Sequence, residues 1–142
     1  NAEDFKPITS WRAHIPPSAY CTFLGDGFEV CTFAPRPVET GERSLPVPFD
    51  HINHDRDEVI FFHEGLFFSK DKSEAGAMTF HARGFSHGPH ENALQRALDR
   101  RDAEGGYMLD GYAVMIETNL PLTVSPWAES VEEMDYPNSW RR

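Results

Sequence analysis

The chain has 142 residues, enough for one domain with a core of its own. Its 13 basic against 23 acidic residues give a net charge of −10. Phosphate contacts need a basic surface, so nucleic acid is excluded as a partner. No apolar run approaches the roughly 20 residues that cross a bilayer, and no signal peptide is visible. Two cysteines, Cys21 and Cys31, are too few for a disulfide framework, and a cytoplasmic setting fits. They flank Gly25-Asp26-Gly27 and are read as two small buried residues facing each other across a hairpin. The sequence opens on Asn1 rather than on Met and is read as a fragment or a processed product.

Most of the chain reads as short strands punctuated by Gly and Pro. Residues 20–24 and 28–33 are rich in aromatic and β-branched side chains and are joined by the Gly25-Asp26-Gly27 turn. A polar stretch carrying Pro35, Pro37, Pro46 and Pro48 follows as a loop. Residues 58–62 and 66–68 form a second expected hairpin around His63-Glu64-Gly65. Further strands are expected at 77–81, 112–117 and 122–124. One segment breaks the pattern. Over residues 91–102, Ala93, Leu94, Ala97 and Leu98 recur at helical spacing among charges, so a helix is inserted there, ended by Gly105-Gly106. Closely spaced strands with turn signals predict an all-β sandwich or barrel. The aromatic and acidic tail, 127–142, is expected along the outside or against a partner.

Seven histidines are present, all between His14 and His90. In the segment His51-Ile52-Asn53-His54-Asp55-Arg56-Asp57-Glu58, strand alternation puts His51 and Asn53 on one face. A turn at Asp55-Arg56-Asp57 then lets Glu58 open the next strand beside His51. A third ligand comes from a later strand, and His87 of Ser86-His87-Gly88-Pro89-His90 is the candidate. Two imidazoles and one carboxylate on one side of a metal make the facial triad of non-haem Fe(II) oxygenases, with positions left open on the other side. Zinc uses the same donors. Taken singly, each residue is an ordinary surface or core side chain, and His54 and His63 read as loop or solvent-face residues. His90 either starts the helix or lines the way into the site. The combined spacing is what carries the metal reading.

The pattern His51-x-Asn53-x4-Glu58-x6-Gly65 resembles the first motif of the cupin superfamily, with Asn in place of the second His. With Ser86-His87-Gly88-Pro89 downstream, the chain resembles the homogentisate 1,2-dioxygenases. His14-Ile15-Pro16-Pro17-Ser18 is similar to the segment carrying that family's catalytic histidine, and Thr79-Phe80-His81 to the one whose histidine sits beside the substrate. Pro126-Trp127, Tyr136 and Trp140 resemble its C-terminal aromatic pattern. There are departures. The interval from His51 to Glu58 is one residue longer, Ile52 stands where the family has Arg, and Phe67 stands where it has a substrate-binding Tyr.

The resemblance implies a cupin-type double-stranded β-helix (jelly-roll) barrel with a short inserted helix. It makes residues 1–142 one iron-binding domain, the C-terminal half of a longer protein. It implies Fe(II) held by His51, Glu58 and His87, with His14 accepting a phenol proton and His81 steadying the substrate. His81, Asn53 and His90 become substrate-binding residues. The implied reaction is extradiol-type ring cleavage of homogentisate or a related dihydroxyaromatic acid by O2, in aromatic amino-acid catabolism. A homo-oligomer (trimer or hexamer) or an association with an N-terminal half is implied as well. The competing readings are a metal-binding cupin with non-oxidative chemistry and a non-catalytic subunit.

Overall fold

A computed structural model of the chain describes residues 9–10, 13–14, 20–41, 43–46, 48–65, 67, 69 and 74–140. Among these, strands β1 (Thr9–Ser10) and β2 (Ala13–His14) form a short ribbon. Strands β3 (Tyr20–Gly25) and β4 (Phe28–Phe33) form the expected hairpin around Asp26-Gly27. Then come β5 (Arg36–Pro37), β6 (His51–Ile52), β7 (Asp57–Glu64), β8 (Met78–His81) and β9 (Ser86–His87). Helix α1 (Glu91–Glu104) precedes β10 (Met108–Leu109) and β11 (Tyr112–Thr118). A short helix α2 (Pro126–Glu129) and a 3-10 turn at Tyr136–Trp140 end the described chain.

The principal layer is an antiparallel five-stranded sheet in the order β3-β4-β11-β7-β8. Two further ribbons pair β10 with β5 and β6 with β9. The architecture is mostly β with few helices, as the strand spacing predicts. Cys21 and Cys31 are register partners across the first hairpin, and Cys31 is buried.

Alternation divides the sheet into two faces. One face buries Cys31, Glu58, Phe62, His81, Ala113 and Met115. The ring of Phe67 lies against Phe62, with centroids 4.6 Å apart. The other face leaves Phe23, Phe28, Phe61, Met78, Phe80, Val114 and Ile116 exposed. Helix α1 buries Ala93 and Ala97, two of the four predicted stripe residues, and runs two residues beyond its predicted end. Gly105 closes it, its amide donating to the Arg101 carbonyl.

Two expectations need correction. Residues 57–64 form one strand, so His63 and Glu64 belong to β7, and the chain turns at Gly65. Gly65 has φ of +82°, and a Cβ there would lie 2.5 Å from the Asp110 carbonyl oxygen. Leu66 and Phe68 of the expected returning strand lie outside the described residues. The strand predicted at 122–124 is absent. β11 is already bonded on both sides, by β4 and β7, and Pro121 has no amide to give a ladder. The Leu122 amide instead donates to Asp57 Oδ2 at 2.8 Å.

Candidate metal centre

Strands β6 and β9 pair antiparallel with His51 opposite His87, so both imidazoles leave the ribbon on one side. Their ring centroids are 4.3 Å apart. The ribbon closes this tightly because residue 88 is glycine. A Cβ at Gly88 would come within 2.8 Å of the Asp50 Cα and would also strike the Asp50 side chain. The need at Gly88 is for close approach of two backbones.

Each of these histidines is oriented through its own backbone. His51 Nδ1 lies 2.7 Å from the Phe49 carbonyl oxygen, and His87 Nδ1 lies 3.1 Å from that of Phe85. A carbonyl only accepts, so Nδ1 carries a proton in both rings, and Nε2 is the nitrogen that a metal would claim by displacing its proton. Backbone carbonyls that fix the tautomer of metal-binding histidines are the usual supporting arrangement.

Glu58 reaches the same place from the sheet. It is the second residue of β7, and its register partner on β8 is His81. Glu58 Oε1 is 2.6 Å from His81 Nδ1 and 3.6 Å from His87 Nε2. The His81 ring stacks on that of His87 with centroids 4.1 Å apart. One ligand atom from each of His51, Glu58 and His87 falls within 4.8 Å of the others, close enough to share one ion. Burial alone would raise the Glu58 pKa, but the hydrogen bonds and charge of His81 and His87 outweigh it and bring it down to about 2. The carboxylate is therefore ionised and ready to coordinate. Two imidazole nitrogens with their tautomers set, plus one ionised carboxylate, fit a divalent transition metal.

The row that carries Glu58 continues across the sheet through Glu117 on β11 to Glu29 on β4. Glu117 has a raised pKa because it is partly buried and stands beside Glu58 and Glu29. Arg56 relieves this crowding, pairing with Glu29 and lying 3.7 Å from Glu117. Glu29, Cys31 and Glu117 also have ligand atoms within 4.8 Å, but the Arg56 guanidinium already supplies positive charge there.

Asn53 does not project from a strand. Its Oδ1 accepts from the Arg56 amide at 3.1 Å and the Asp55 amide at 3.4 Å, shaping the turn into β7. Its Nδ2 is 3.4 Å from Glu117 Oε2. His90 is buried three residues after His87, its Nε2 2.9 Å from the Ser139 hydroxyl, so the 3-10 turn of the tail rests on it. His14 is placed by its backbone in β2, opposite Thr9, and the segment 15–19 lies outside the described residues. His54 and His63 are exposed, as expected.

Sequence reasoning missed Asp57. It read as part of a charged turn, but it is the first residue of β7 and is buried. Its Oδ1 accepts from both the Arg83 amide and Nε at 3.0 Å, and its Oδ2 accepts from Leu122. Arg83 also donates to the Asn119 carbonyl at 3.1 Å. The hydrogen bonds from Arg83 and Leu122 hold the Asp57 carboxyl well below the usual carboxylate range. This latch ties β7, β8 and β11 together next to Glu58. Nothing local in Asp-Arg-Asp-Glu announces it, because its partners are 26 and 65 positions away.

A mostly-β protein with a two-histidine, one-carboxylate cluster on one sheet face is the class that fold and site define. Residues 23–142 match the family model described as homogentisate 1,2-dioxygenase C-terminal. A protein of Saccharolobus solfataricus described as a putative dioxygenase is 39% identical over 137 residues. The match covers 96% of this chain and 34% of that relative, so the chain spans about a third of the relative's length. The chain belongs to the homogentisate 1,2-dioxygenase family and corresponds to its C-terminal part.

Proposed function

We propose that the chain is a cupin-type domain, one unit over residues 1–142, that binds Fe(II) through His51, Glu58 and His87 and cleaves a dihydroxyaromatic acid with O2. The observation that carries this is the convergence of His51, Glu58 and His87, whose ligand atoms lie within 4.8 Å of one another, with both imidazoles anchored through Nδ1 to Phe49 and Phe85. Family membership supports dioxygenase chemistry. Iron bound there would supply open positions for a substrate oxygen and for O2.

The protein's own groups have distinct tasks. Glu58 stays ionised at any physiological pH. His81 holds it by a 2.6 Å hydrogen bond and stacks on His87, and is proposed to steady the substrate. His14 is proposed as the base that accepts the phenol proton, a task suited to a near-neutral pKa. Asn53 and His90 are proposed to act on the substrate indirectly, through Glu117 and through the tail at Ser139. Phe67, which packs on Phe62 in place of the family's tyrosine, argues for a substrate related to homogentisate in which carboxylate recognition differs. A cytoplasmic homo-oligomer is the proposed setting. Among the described residues no helix is long and apolar enough to cross a membrane.

The test is anaerobic reconstitution with Fe(II), then oxygen uptake on adding homogentisate and a panel of dihydroxyphenyl acids, with His51→Ala as control. Uptake that disappears in the control supports the reading. One iron per chain without uptake on any compound points to non-oxidative chemistry. Failure to bind iron overturns the site.

A further inference from the structure

Register partners form rows across the metal-bearing face of the sheet. The row of Glu58 and His81 is acidic, because Glu117 and Glu29 continue it. The next row is Cys31, Met115, Ile60 and Thr79. The one beyond holds Phe33, Ala113 and Phe62, with Phe67 packed on Phe62. Among the described residues these two rows carry no charge and one hydroxyl, that of Thr79. Strand alternation puts Thr79 on the same face of β8 as His81, two residues away. Its Oγ1 is shielded from solvent and has no hydrogen-bond partner among the described residues. A buried hydroxyl in that state costs free energy, and nearly all such groups in folded proteins have a partner. The Nε2 atom of His87 is shielded from solvent as well, so the hydroxyl is as enclosed as a nitrogen of the metal centre.

The parts of this face suit different parts of a dihydroxyaromatic ring. The acidic row, in which Arg56 already pairs with Glu29 and Glu117, disfavours a further anion. The apolar rows suit the flat of the ring. Thr79 has no cation beside it in these rows, so it is a poor seat for a carboxylate, whose buried charge would stay unpaired. It is a good seat for a neutral phenol, because a hydroxyl both donates and accepts. We propose that Thr79 is a specificity-determining residue, its hydroxyl hydrogen-bonding the ring hydroxyl that the metal does not take. The proposal rests on the ring-cleaving reading and names the group that recognises the second hydroxyl. The substrate then supplies the partner that Oγ1 is without. Dihydroxy rings are thereby favoured over monohydroxy ones, which leave the threonine unsatisfied.

The experiment sets Thr79→Val, which keeps the bulk and removes the hydroxyl, against Thr79→Ser, which keeps the hydroxyl. Anaerobic calorimetry on the Fe(II)-loaded protein measures the affinity for homogentisate and for ortho-hydroxyphenylacetate, which lacks the second ring hydroxyl. Urea unfolding of the metal-free protein measures stability. Thr79→Val is expected to bind homogentisate about tenfold more weakly and the monohydroxy compound as the wild type does. Thr79→Ser should stay close to wild type with both. The unfolding midpoint of Thr79→Val should be no lower than that of the wild type, because no internal hydrogen bond is lost. The inference alone is overturned if Thr79→Val binds homogentisate as tightly as wild type, or loses affinity equally for both compounds. A lowered midpoint with homogentisate affinity intact also overturns it and makes the hydroxyl structural. Wild-type protein that binds neither compound overturns the ring-cleaving reading, and this inference with it.

Discussion

His51 and His87 are direct register partners on a two-stranded ribbon, although they lie 36 positions apart in sequence. The ribbon brings both rings within 4.8 Å of Glu58, ligand atom to ligand atom, and Glu58 arrives from a different sheet.

Removing a ligand should remove the metal. His87→Ala or His51→Ala should lower Fe(II) affinity roughly 100-fold or more, beyond the 10–100-fold that a supporting residue costs. Anaerobic titration calorimetry measures it. Unchanged affinity in either variant would place the ion elsewhere.

Gly88→Ala should damage the site without touching a ligand. The new methyl meets the Asp50 backbone and must force β6 and β9 apart. Overpacking of this kind costs about 1–3 kcal/mol. Denaturant unfolding should show that loss, with metal affinity falling alongside it. A variant as stable as the parent would mean the ribbon relaxes freely.

His81→Phe keeps the ring's bulk and removes the donor to Glu58. The metal-free protein should then lose about 1–3 kcal/mol, because a buried carboxylate is left without its partner. Metal affinity should fall about 10–100-fold. Saturating metal should restore much of the thermal stability, since the ion takes over neutralisation of Glu58. A full loss of binding would instead make His81 a ligand.

Asp57 makes stability depend on acid. Its folded pKa is depressed, so its contribution is complete above the unfolded value near 3.8 and is lost as pH falls through the folded value. Asp57→Asn should therefore cost about 2 kcal/mol at neutral pH and flatten the pH dependence of stability below pH 4. Urea unfolding at pH 7 and at pH 3 gives both numbers. Parallel losses at the two pH values would contradict the latch.

The sequence by itself determined the strand-rich class, the first hairpin, the inserted helix and the grouping of His51, Glu58 and His87 as a candidate metal site. Local pattern decides these. Alternation, Gly-Asp-Gly and helical spacing act over a few residues, and the intervals around His51, Glu58 and His87 are strong enough to read as one motif. What only the tertiary structure decided were relations between distant residues. The Asp57–Arg83–Leu122 latch, the Arg56 bridge from Glu29 to Glu117 and the seat of Ser139 on His90 each join segments from 26 to 65 positions apart. A buried acid beside a turn looks in sequence like a surface charge, because its donors come from elsewhere. The two faces of the sheet were equally hidden. Alternation shows that Phe61 and Phe62 point opposite ways, but which of them meets the metal side and which is left uncovered depends on pairing register and on the layers above and below.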